Sequence, residues 1–346
     1  MRIVLDAMGS DRHPEPDVEG AVLAARETGE CIILAGDQNQ IRRELDKYDI
    51  SGLSIEVVHA EQKITMEDRP GVVGRAKPAS SMHVGMRLVK NRQYEEIVTK
   101  GNKGAELDIE TIHTLKRIPG VSRPALSTIL SLQDRAMILL DIGANADCRP
   151  EWLVQFAIMG SIYAERALQN DDPRVALLSN GEEEGKGNTL VREAAELLRS
   201  CGVNFIGNVE PKEILAGAAD VVVMDGFSGN VLIKSMEALG NTLFDLIRRE
   251  LMADWRSRIG GLLAKPAFRR VYRQIDPFEV GGAPLLGVDG VVIIGHGRSN
   301  AIAVKNAVHQ ARRAVSGHIV DAIRDGLAVN LSNSSNPNDT HPEGSQ

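Results

Sequence analysis

Short, unbroken runs of valine, isoleucine and leucine recur along the chain and limit the folds it can adopt. Such runs are typical of strands buried on both faces of a parallel sheet. Segments with helical spacing lie between them, at Val18 to Glu27, Trp152 to Leu168, Leu190 to Leu198 and Ala301 to Val315. The alternation predicts a doubly wound α/β fold. The runs are "RIVLD", "CIILAG", "IEVVH", "EIVTK", "MILLD", "RVALL", "VNFIG", "DVVVMDG" and "GVVIIGHG".

Length and charge narrow the class of protein. With 346 residues, 43% of them hydrophobic, the chain is long enough for one large α/β domain or two closely joined ones. Its net charge of -7 argues against a general nucleic-acid binder, whose domain is usually basic. The three cysteines, Cys31, Cys148 and Cys201, are far apart and form no CxxC pair, which indicates neither a disulfide framework nor a zinc site.

Targeting signals and membrane spans are not expected from the sequence. The N-terminus, "MRIVLDAMGSD", becomes acidic and glycine-rich too soon for a signal peptide, and no apolar run reaches the roughly 20 residues of a membrane span. We therefore expect a cytoplasmic protein that is soluble or at most peripheral to a membrane.

The domain organisation follows from two changes in composition. Residues 1–327 are predicted to form a single α/β domain, interrupted at about 241–280 by a long, arginine-rich helical excursion. Residues 328–346 are predicted to be a disordered tail, because segments with so few apolar residues cannot offset the entropy lost on ordering.

Six loops that follow apolar runs carry glycine, asparagine, aspartate, lysine or histidine. In α/β folds, ligands bind beyond the carboxyl ends of the strands, where loops lead into helix N-termini. Any one of these loops alone would suit an ordinary turn or helix cap. Their repeated position predicts a shared binding site. The loops are "DAMGSD" (6–11), "KGNKG" (100–104), "DIGAN" (141–145), "GEEEGKGN" (181–188), "DGFSGN" (225–230) and "GHGRSN" (295–300).

Two of these loops have the form of an anion site. "KGNKG" is either a phosphate-binding turn at a helix N-terminus or a plain turn capped by Asn102. Lys186 stands between two glycines at a predicted helix start, where a lysine can neutralise a phosphate or polarise a carbonyl oxygen. The preceding glutamates, 182–184, resemble a Mg²⁺ site, but consecutive side chains do not converge on one ion, so we expect a glutamate to pair with Lys186 instead. No metal or cofactor is predicted.

Three further side chains leave alternatives open. Asp225 either acts as a base or positions a donor, or it caps the following helix. His296 lies between glycines after an apolar run and either binds a ligand or is incidental. Cys148 is predicted to be an inert packing residue, because no histidine accompanies it in a known nucleophile pattern. No GxGxxG follows the first run, which disfavours a dinucleotide-dependent dehydrogenase.

Ordered blocks over nearly the full length resemble the PlsX family of phosphate acyltransferases. They include "DAMGSD", "ITMEDRP", "LLDIGANADCRPEWLVQFAIMG", "PRVALLSNGEEEGKGN", "DVVVMDGFSGNVLIK" and "GGAPLLGVDGVVIIGHGRSNA". The resemblance implies a Rossmann-like three-layer α/β/α fold with a mostly parallel sheet, related to phosphotransacetylases and isocitrate-dehydrogenase-like enzymes. It also implies a homodimer without cofactors that transfers a fatty acyl group from acyl carrier protein to inorganic phosphate, giving an acyl phosphate for the downstream glycerol-3-phosphate acyltransferase.

The resemblance also assigns site residues. It implies Lys186 and Asp225 as the catalytic pair, with Lys186 stabilising negative charge and Asp225 orienting phosphate or a donor. Phosphate and substrate binding are expected at Asp6, Gly9, Asp11, Gly101, Asn102, Gly104, Asn145, Asn188, Gly229, Asn230 and His296. The arginine-rich excursion either meets the acidic carrier protein or an anionic membrane, or forms a dimerisation hairpin.

The chain departs from the family pattern at two loops. Where family members usually read "SAGNTGAL", this chain reads "TKGNKGAE", which places Lys100, Lys103 and Glu106 at positions of alanine, threonine and leucine. Ser10 stands where glycine is usual. The lysines either tighten phosphate binding or obstruct the site. The alternatives to acyl-carrier-protein-dependent transfer are therefore a short-chain acyl-CoA phosphotransacylase and a catalytically impaired scaffold.

Overall fold

A computed structural model describes residues 1–65, 67–69, 72–91, 93, 96–100, 114–132, 135–275 and 277–334. Its strands are β1 (Arg2–Asp6), β2 (Cys31–Gly36), β3 (Ile55–His59), β4 (Glu96–Lys100), β5 (Ala125–Leu132), β6 (Arg135–Leu140), β7 (Val175–Leu178), β8 (Phe205–Val209), β9 (Val221–Val223), β10 (Ala283–Leu286) and β11 (Val291–Gly295). All the apolar runs singled out in the sequence form strands. β5 and β10 are two further strands that the runs did not predict.

Helices fill the connections between most of these strands. They are α1 (Glu15–Thr28), α2 (Gln38–Leu45), α3 (Val73–Ala76), α4 (Ser81–Lys90), α5 (Pro150–Leu168), α6 (Thr189–Leu198), α7 (Pro211–Leu215), α8 (Gly226–Ala253), α9 (Trp255–Ile275), α10 (Pro277–Val280), α11 (Ala301–Ser316) and α12 (Ile319–Ser334). The four helices predicted from spacing correspond to α1, α5, α6 and α11.

The strands form one sheet in the order β3-β2-β1-β4-β11-β10-β5-β6-β9-β7-β8. Seven of its ten pairings are parallel, and the three antiparallel ones join β11 to β10, β10 to β5, and β5 to β6. An odd number of antiparallel pairings, three, separates the two sets of parallel strands. Strands β6 to β9 therefore run in the opposite direction to β1 to β4 and β11. Two parallel half-sheets are therefore joined through the antiparallel pair β10 and β5.

Alternating side chains on the strands build two hydrophobic layers. On β1, Ile3 and Leu5 pack with α1 and α11, whereas Val4 faces Met82 and Met86 of α4. The second half-sheet repeats this arrangement, with α5 and α6 on one face and α7 on the other. Because helices cover both faces, the fold is the expected three-layer α/β/α arrangement with a mostly parallel sheet.

The helical excursion is longer than predicted and begins at the start of α8. Along α8 only Gly226 and Gly229 are fully buried and Leu232 and Ile233 pack against the core, so the later turns of this 28-residue helix project from the body. It pairs with α9 as an antiparallel hairpin, in which Phe244 meets Tyr272 edge to face at 5.2 Å between ring centroids. In the described part of the chain, no helix is long and apolar enough to cross a membrane.

The C-terminal boundary differs from the prediction. Helix α12 continues to Ser334, so residues 328–334 are helical rather than part of a disordered tail. The apolar side chains Ile319, Ile323 and Leu327 anchor the start of this helix in the core beside α5. Residues 335–346 lie outside the described part.

Candidate active site

The predicted site residues fall into two groups, one in each half-sheet. The first, called the β1 group, consists of the loops that follow the neighbouring parallel strands β1, β4 and β11. Its backbone is tightly packed, because a Cβ on Gly9 would lie 2.3 Å from the Lys100 carbonyl oxygen. Asp11 donates its backbone N–H to the carbonyl oxygen of Gly297 at 2.8 Å. The loops after β1 and β11 are thereby joined, with the end of β4 packed against Gly9.

Asp6 is the buried carboxylate of this group. It is 2% exposed and accepts hydrogen bonds from the Met8 backbone N–H at 3.0 Å and from the Thr99 hydroxyl at 3.4 Å. Loss of hydration on burial raises its pKa to about 6, despite the opposing hydrogen bonds from Ser81 and Met8. Asp6 therefore titrates close to the pH at which phosphate itself changes charge.

The remaining members of the β1 group are placed only in part. His296 is exposed, and its Nδ1 accepts the Arg298 backbone N–H at 3.3 Å. Lys100 is buried and forms an ion pair with Asp17 of α1. The predicted ligands Gly101, Asn102 and Gly104 lie outside the described residues, as do Lys103 and Glu106.

The second group, called the β6 group, consists of the loops that follow β6, β7 and β9. Its centre is Asp141, which is fully buried and accepts five hydrogen bonds of 2.7–3.2 Å. The donors are the backbone N–H groups of Leu126, Gly143, Ala144 and Asn145 and the Asn145 side-chain amide. Burial raises the pKa of Asp141, and the hydrogen bonds oppose that shift.

The first turn of α8 packs directly on the loop after β6. A Cβ on Gly229 would lie 1.9 Å from the Asp141 carbonyl oxygen, and one on Gly226 would lie 2.7 Å from the Asn145 carbonyl oxygen. Only glycine fits at these positions without moving backbone. Asn230, one residue later, lies against Gly143. The α8 N-terminus is thereby held beside the loop after β6.

Three of the predicted polar residues have structural contacts as well. Asp225 caps α8, accepting the Ser228 backbone N–H and hydroxyl at 2.8 Å each. Asn188 caps α6 by accepting the Val191 N–H at 3.0 Å. Asn145 donates its amide to Pro124 and Asp141, which engages both of its N–H donors. The helix-cap alternative for Asp225 is thus present in the structure, and its role in positioning phosphate stays a prediction.

Lys186 differs from these residues because its ammonium group is free. It is exposed, and in the described part of the chain its ammonium has no ion-pair partner. Within the described residues the predicted ion pair with a neighbouring glutamate is not formed: Glu184 pairs with Arg199, and Glu183, whose carboxylate lies with the Lys186 side chain beside Gly181, makes no ion pair with it. The flanking Gly185 and Gly187 have φ of 85° and 95°, a backbone that a β-carbon would strain. The turn thus presents an exposed ammonium beside the N-terminus of α6, with the Glu183 carboxylate nearby.

Cys148 has the properties of a packing residue. Burial raises its pKa to about 12, so the reactive thiolate is scarce near neutral pH. No group of three metal-binding side chains of the kind that holds an ion occurs within the described ranges.

Sequence reasoning missed Asp141 and Asp17 as organising residues. Asp141 had a visible signal, since it ends a buried strand and precedes Gly-Ala-Asn, the pattern used to select its neighbour Asn145. Asp17 had no such signal in the sequence, because its partner Lys100 is 83 residues away.

Comparison with known proteins identifies the family. The family model described as "Fatty acid synthesis protein" matches residues 1–321. The phosphate acyltransferase of Syntrophotalea carbinolica is 46% identical over 93% of this chain and 92% of its own. That of Dictyoglomus turgidum is 45% identical over 94% and 98%. The chain belongs to the phosphate acyltransferase family. It is an acyltransferase of fatty acid and lipid synthesis, and the family resemblance found in the sequence is confirmed.

Solved structures confirm the fold expected for this family of phosphate acyltransferases. A phosphotransacetylase from Streptococcus pyogenes matches with a TM-score of 0.59 and 16% identity, covering 93% of this chain and 94% of its own. A branched-chain phosphotransacylase from Enterococcus faecalis V583 matches with a TM-score of 0.58 and 16% identity, covering 91% and 99%. At this identity the comparison shows the fold alone.

Replacing Asp141 by asparagine is expected to destabilise the protein. The amide would turn N–H groups toward backbone N–H donors and remove hydrogen bonds to a charged acceptor, each worth about 1.5–3 kcal/mol. We expect the free energy of unfolding in urea to fall by about 3 kcal/mol, with Asp147→Asn, an exposed site six residues on, as the control. Equal stability of the two variants would contradict the role given to Asp141.

Asp6 is expected to make stability depend on pH. Its folded pKa of about 6 lies above the ordinary 3.8, so its protonated form favours the fold below pH 4 and that contribution is lost as pH rises through 6. Relative to Asp6→Asn, the wild type should lose about 2.4 kcal/mol of unfolding free energy between pH 4 and pH 7. Urea unfolding of both proteins across this range measures the difference in their unfolding free energies. A normal Asp6 pKa would make that difference independent of pH.

Proposed function

We propose that the protein transfers a long-chain fatty acyl group from acyl carrier protein to inorganic phosphate. The acyl phosphate formed would then be consumed by the downstream glycerol-3-phosphate acyltransferase. The observation that carries this proposal is the exposed, unpaired Lys186 in its glycine-flanked turn. An exposed ammonium without an ion pair, beside a helix N-terminus, favours an anion such as phosphate or a developing oxyanion.

The reaction needs little acid or base catalysis. Phosphate is largely dianionic near neutral pH, and a thiolate with a thiol pKa near 8.5 leaves without much protonation. Positioning of phosphate and stabilisation of the thioester oxyanion are then the main requirements. The loops of both groups supply backbone N–H groups at the starts of α6, α8 and α11, and Lys186 supplies the cation.

We assign the reaction to the loops of the β1 group and the β6 group acting together, because the predicted site residues fall in both groups. In this assignment Asp6, Gly9, Asp11 and His296 face phosphate from one side, and Lys186 and Asp225 act from the other.

The α8–α9 hairpin is proposed as the surface that meets large partners. It exposes Trp255, Leu262 and Leu263, which are 66%, 70% and 78% exposed. Arginines border these apolar side chains on the exposed surface, and they are Arg248, Arg249, Arg256, Arg258, Arg269 and Arg270. Apolar and basic residues together suit a second copy of the chain, the acidic carrier protein and an anionic membrane surface. We therefore propose a cytoplasmic homodimer that attaches peripherally to the membrane.

Phosphate-dependent release of thiol from long-chain acyl carrier protein tests the proposed reaction. We expect the wild type to release thiol only with phosphate, and Lys186→Ala to lower kcat by about 100-fold or more, since it removes the charge that stabilises the oxyanion. Lys47→Ala, at an exposed lysine at the end of α2, should retain the wild-type rate.

The outcomes separate the alternatives. Preference for acetyl- or butyryl-coenzyme A over the long-chain donor would indicate a short-chain phosphotransacylase. Binding of acyl carrier protein without thiol release would indicate an impaired scaffold. Normal turnover by Lys186→Ala would reject the role given to Lys186.

Membrane attachment by the hairpin is tested with the double variant Leu262→Gln and Leu263→Gln. Each leucine should contribute about 1.5–3 kcal/mol on burial, so binding to vesicles with anionic phospholipids should weaken at least tenfold. Co-sedimentation measures the change. The control is Ile206→Gln with Leu215→Gln, two exposed apolar residues outside the hairpin. Equal loss in both double variants would argue against a specific role for the hairpin.

A further inference from the structure

Lys100 is a buried cation at the end of β4. It is 1% exposed, and its side chain runs across Gly295 of β11, where an added Cβ would lie 2.5 Å from the Lys100 Cγ. Alternation along β4 places Lys100 with Val98 on the face of α1 and α11. A lysine is rarely buried so completely unless it is paired.

The partner of Lys100 is Asp17, on the first turn of α1. Asp17 is completely buried, and its Oδ1 forms the ion pair with the Lys100 ammonium. Its other oxygen, Oδ2, accepts the Ser10 hydroxyl at 2.5 Å, and Ser10 is 3% exposed. One carboxylate thus joins the loop after β1 to the end of β4.

The position of this unit relates it to the candidate site. Ser10 lies between Gly9 and Asp11, both assigned to phosphate binding, and Lys100 directly precedes the "GNKG" segment. The Lys100 carbonyl oxygen is also the atom that Gly9 approaches. The loop after β1 is therefore fixed to the end of β4 by backbone packing on one side and by the carboxylate on the other.

We propose that Ser10, Asp17 and Lys100 form a positioning unit that holds the phosphate-binding loop after β1 against the end of β4. The proposal rests on the function and phosphate site proposed above. Lys100 acts through Asp17 and Ser10, and its ammonium is committed to Asp17 rather than to phosphate. A buried cation and a buried anion are tolerated when they pair, because either one alone would lack an opposite charge to balance it.

The Ser10 and Lys100 side chains both contact Asp17. Ser10 imposes no backbone strain, since the described non-glycine residues with positive φ are Lys116, Gln169 and His318.

Ser10→Ala is the decisive variant, because it removes the link to the loop after β1 and leaves the Lys100–Asp17 ion pair in place. We expect the KM for phosphate to rise about tenfold, equivalent to about 1.4 kcal/mol of binding. At saturating phosphate and acyl donor, kcat should change less than twofold, and the Tm should stay within a few degrees of the wild type. A general loss of folding would instead lower the active fraction and hence kcat.

A second variant tests Lys100 without leaving a lone buried charge. Lys100→Met combined with Asp17→Leu replaces the pair by apolar side chains of similar volume, which proteins often tolerate. Because Ser10 loses its acceptor, this variant should show the same rise in phosphate KM as Ser10→Ala. Lys305→Met is the matched control, since Lys305 forms a 2.9 Å ion pair with Glu27 of the same helix, α1. It should leave the phosphate KM unchanged.

The results distinguish this inference from the proposed function. An inactive wild type would reject the proposed reaction. An active wild type with an unchanged phosphate KM in Ser10→Ala would overturn the positioning unit, and so would an unchanged KM in a folded double variant. An equal rise in Lys305→Met would also overturn it, by showing a general effect of α1 packing. If the double variant does not fold, Ser10→Ala alone decides.

Discussion

Five hydrogen bonds to one buried carboxylate, Asp141, determine how the second half of the molecule is assembled. They join β5, through the Leu126 N–H, to the loop that follows β6. Through Asn145, whose carbonyl oxygen accepts the Gly226 N–H at 2.7 Å, the same loop receives the N-terminus of α8. One charged group therefore holds the antiparallel junction of the sheet, a loop of the candidate site and the base of the hairpin. The burial of its charge is offset only because every contact is made.

The parallel half-sheets were predictable from the sequence, but their connection was not. Strands buried on both faces read as continuous apolar runs, and all of those runs form strands. β5 reads "ALSTILSL", in which serine and threonine interrupt the apolar residues, and Ser127 donates a hydrogen bond to the Pro284 carbonyl oxygen at 2.8 Å. β10, "APLL", is short and contains that proline. Each pairs with the next strand along the chain, but the pairing of β5 with β10 joins distant segments, so only tertiary contacts identify the junction between the half-sheets.

The candidate site was predictable where chemistry is local. Strand-end glycines and helix caps have sequence signals, and Asn188, Asp225 and Asn300 all cap helices at such loops. The absence of an ion-pair partner for Lys186 within the described residues was not predictable, because the three adjacent glutamates suggested one. The buried position of Lys100 was also unpredictable, since it depends on a contact across 83 residues.

Internal charges and the exposed lysine play different parts in this arrangement. Asp6, Asp17, Lys100 and Asp141 are buried, and each contacts the protein itself, which fixes loops at a cost in hydration. A ligand that bound Asp141 would have to replace an existing contact. Lys186 makes no such contact within the described residues, so its ammonium is available to an incoming anion. Rigid loops then limit the reorganisation needed on binding, which is the condition under which fixed dipoles and a single charge act most strongly on a transition state.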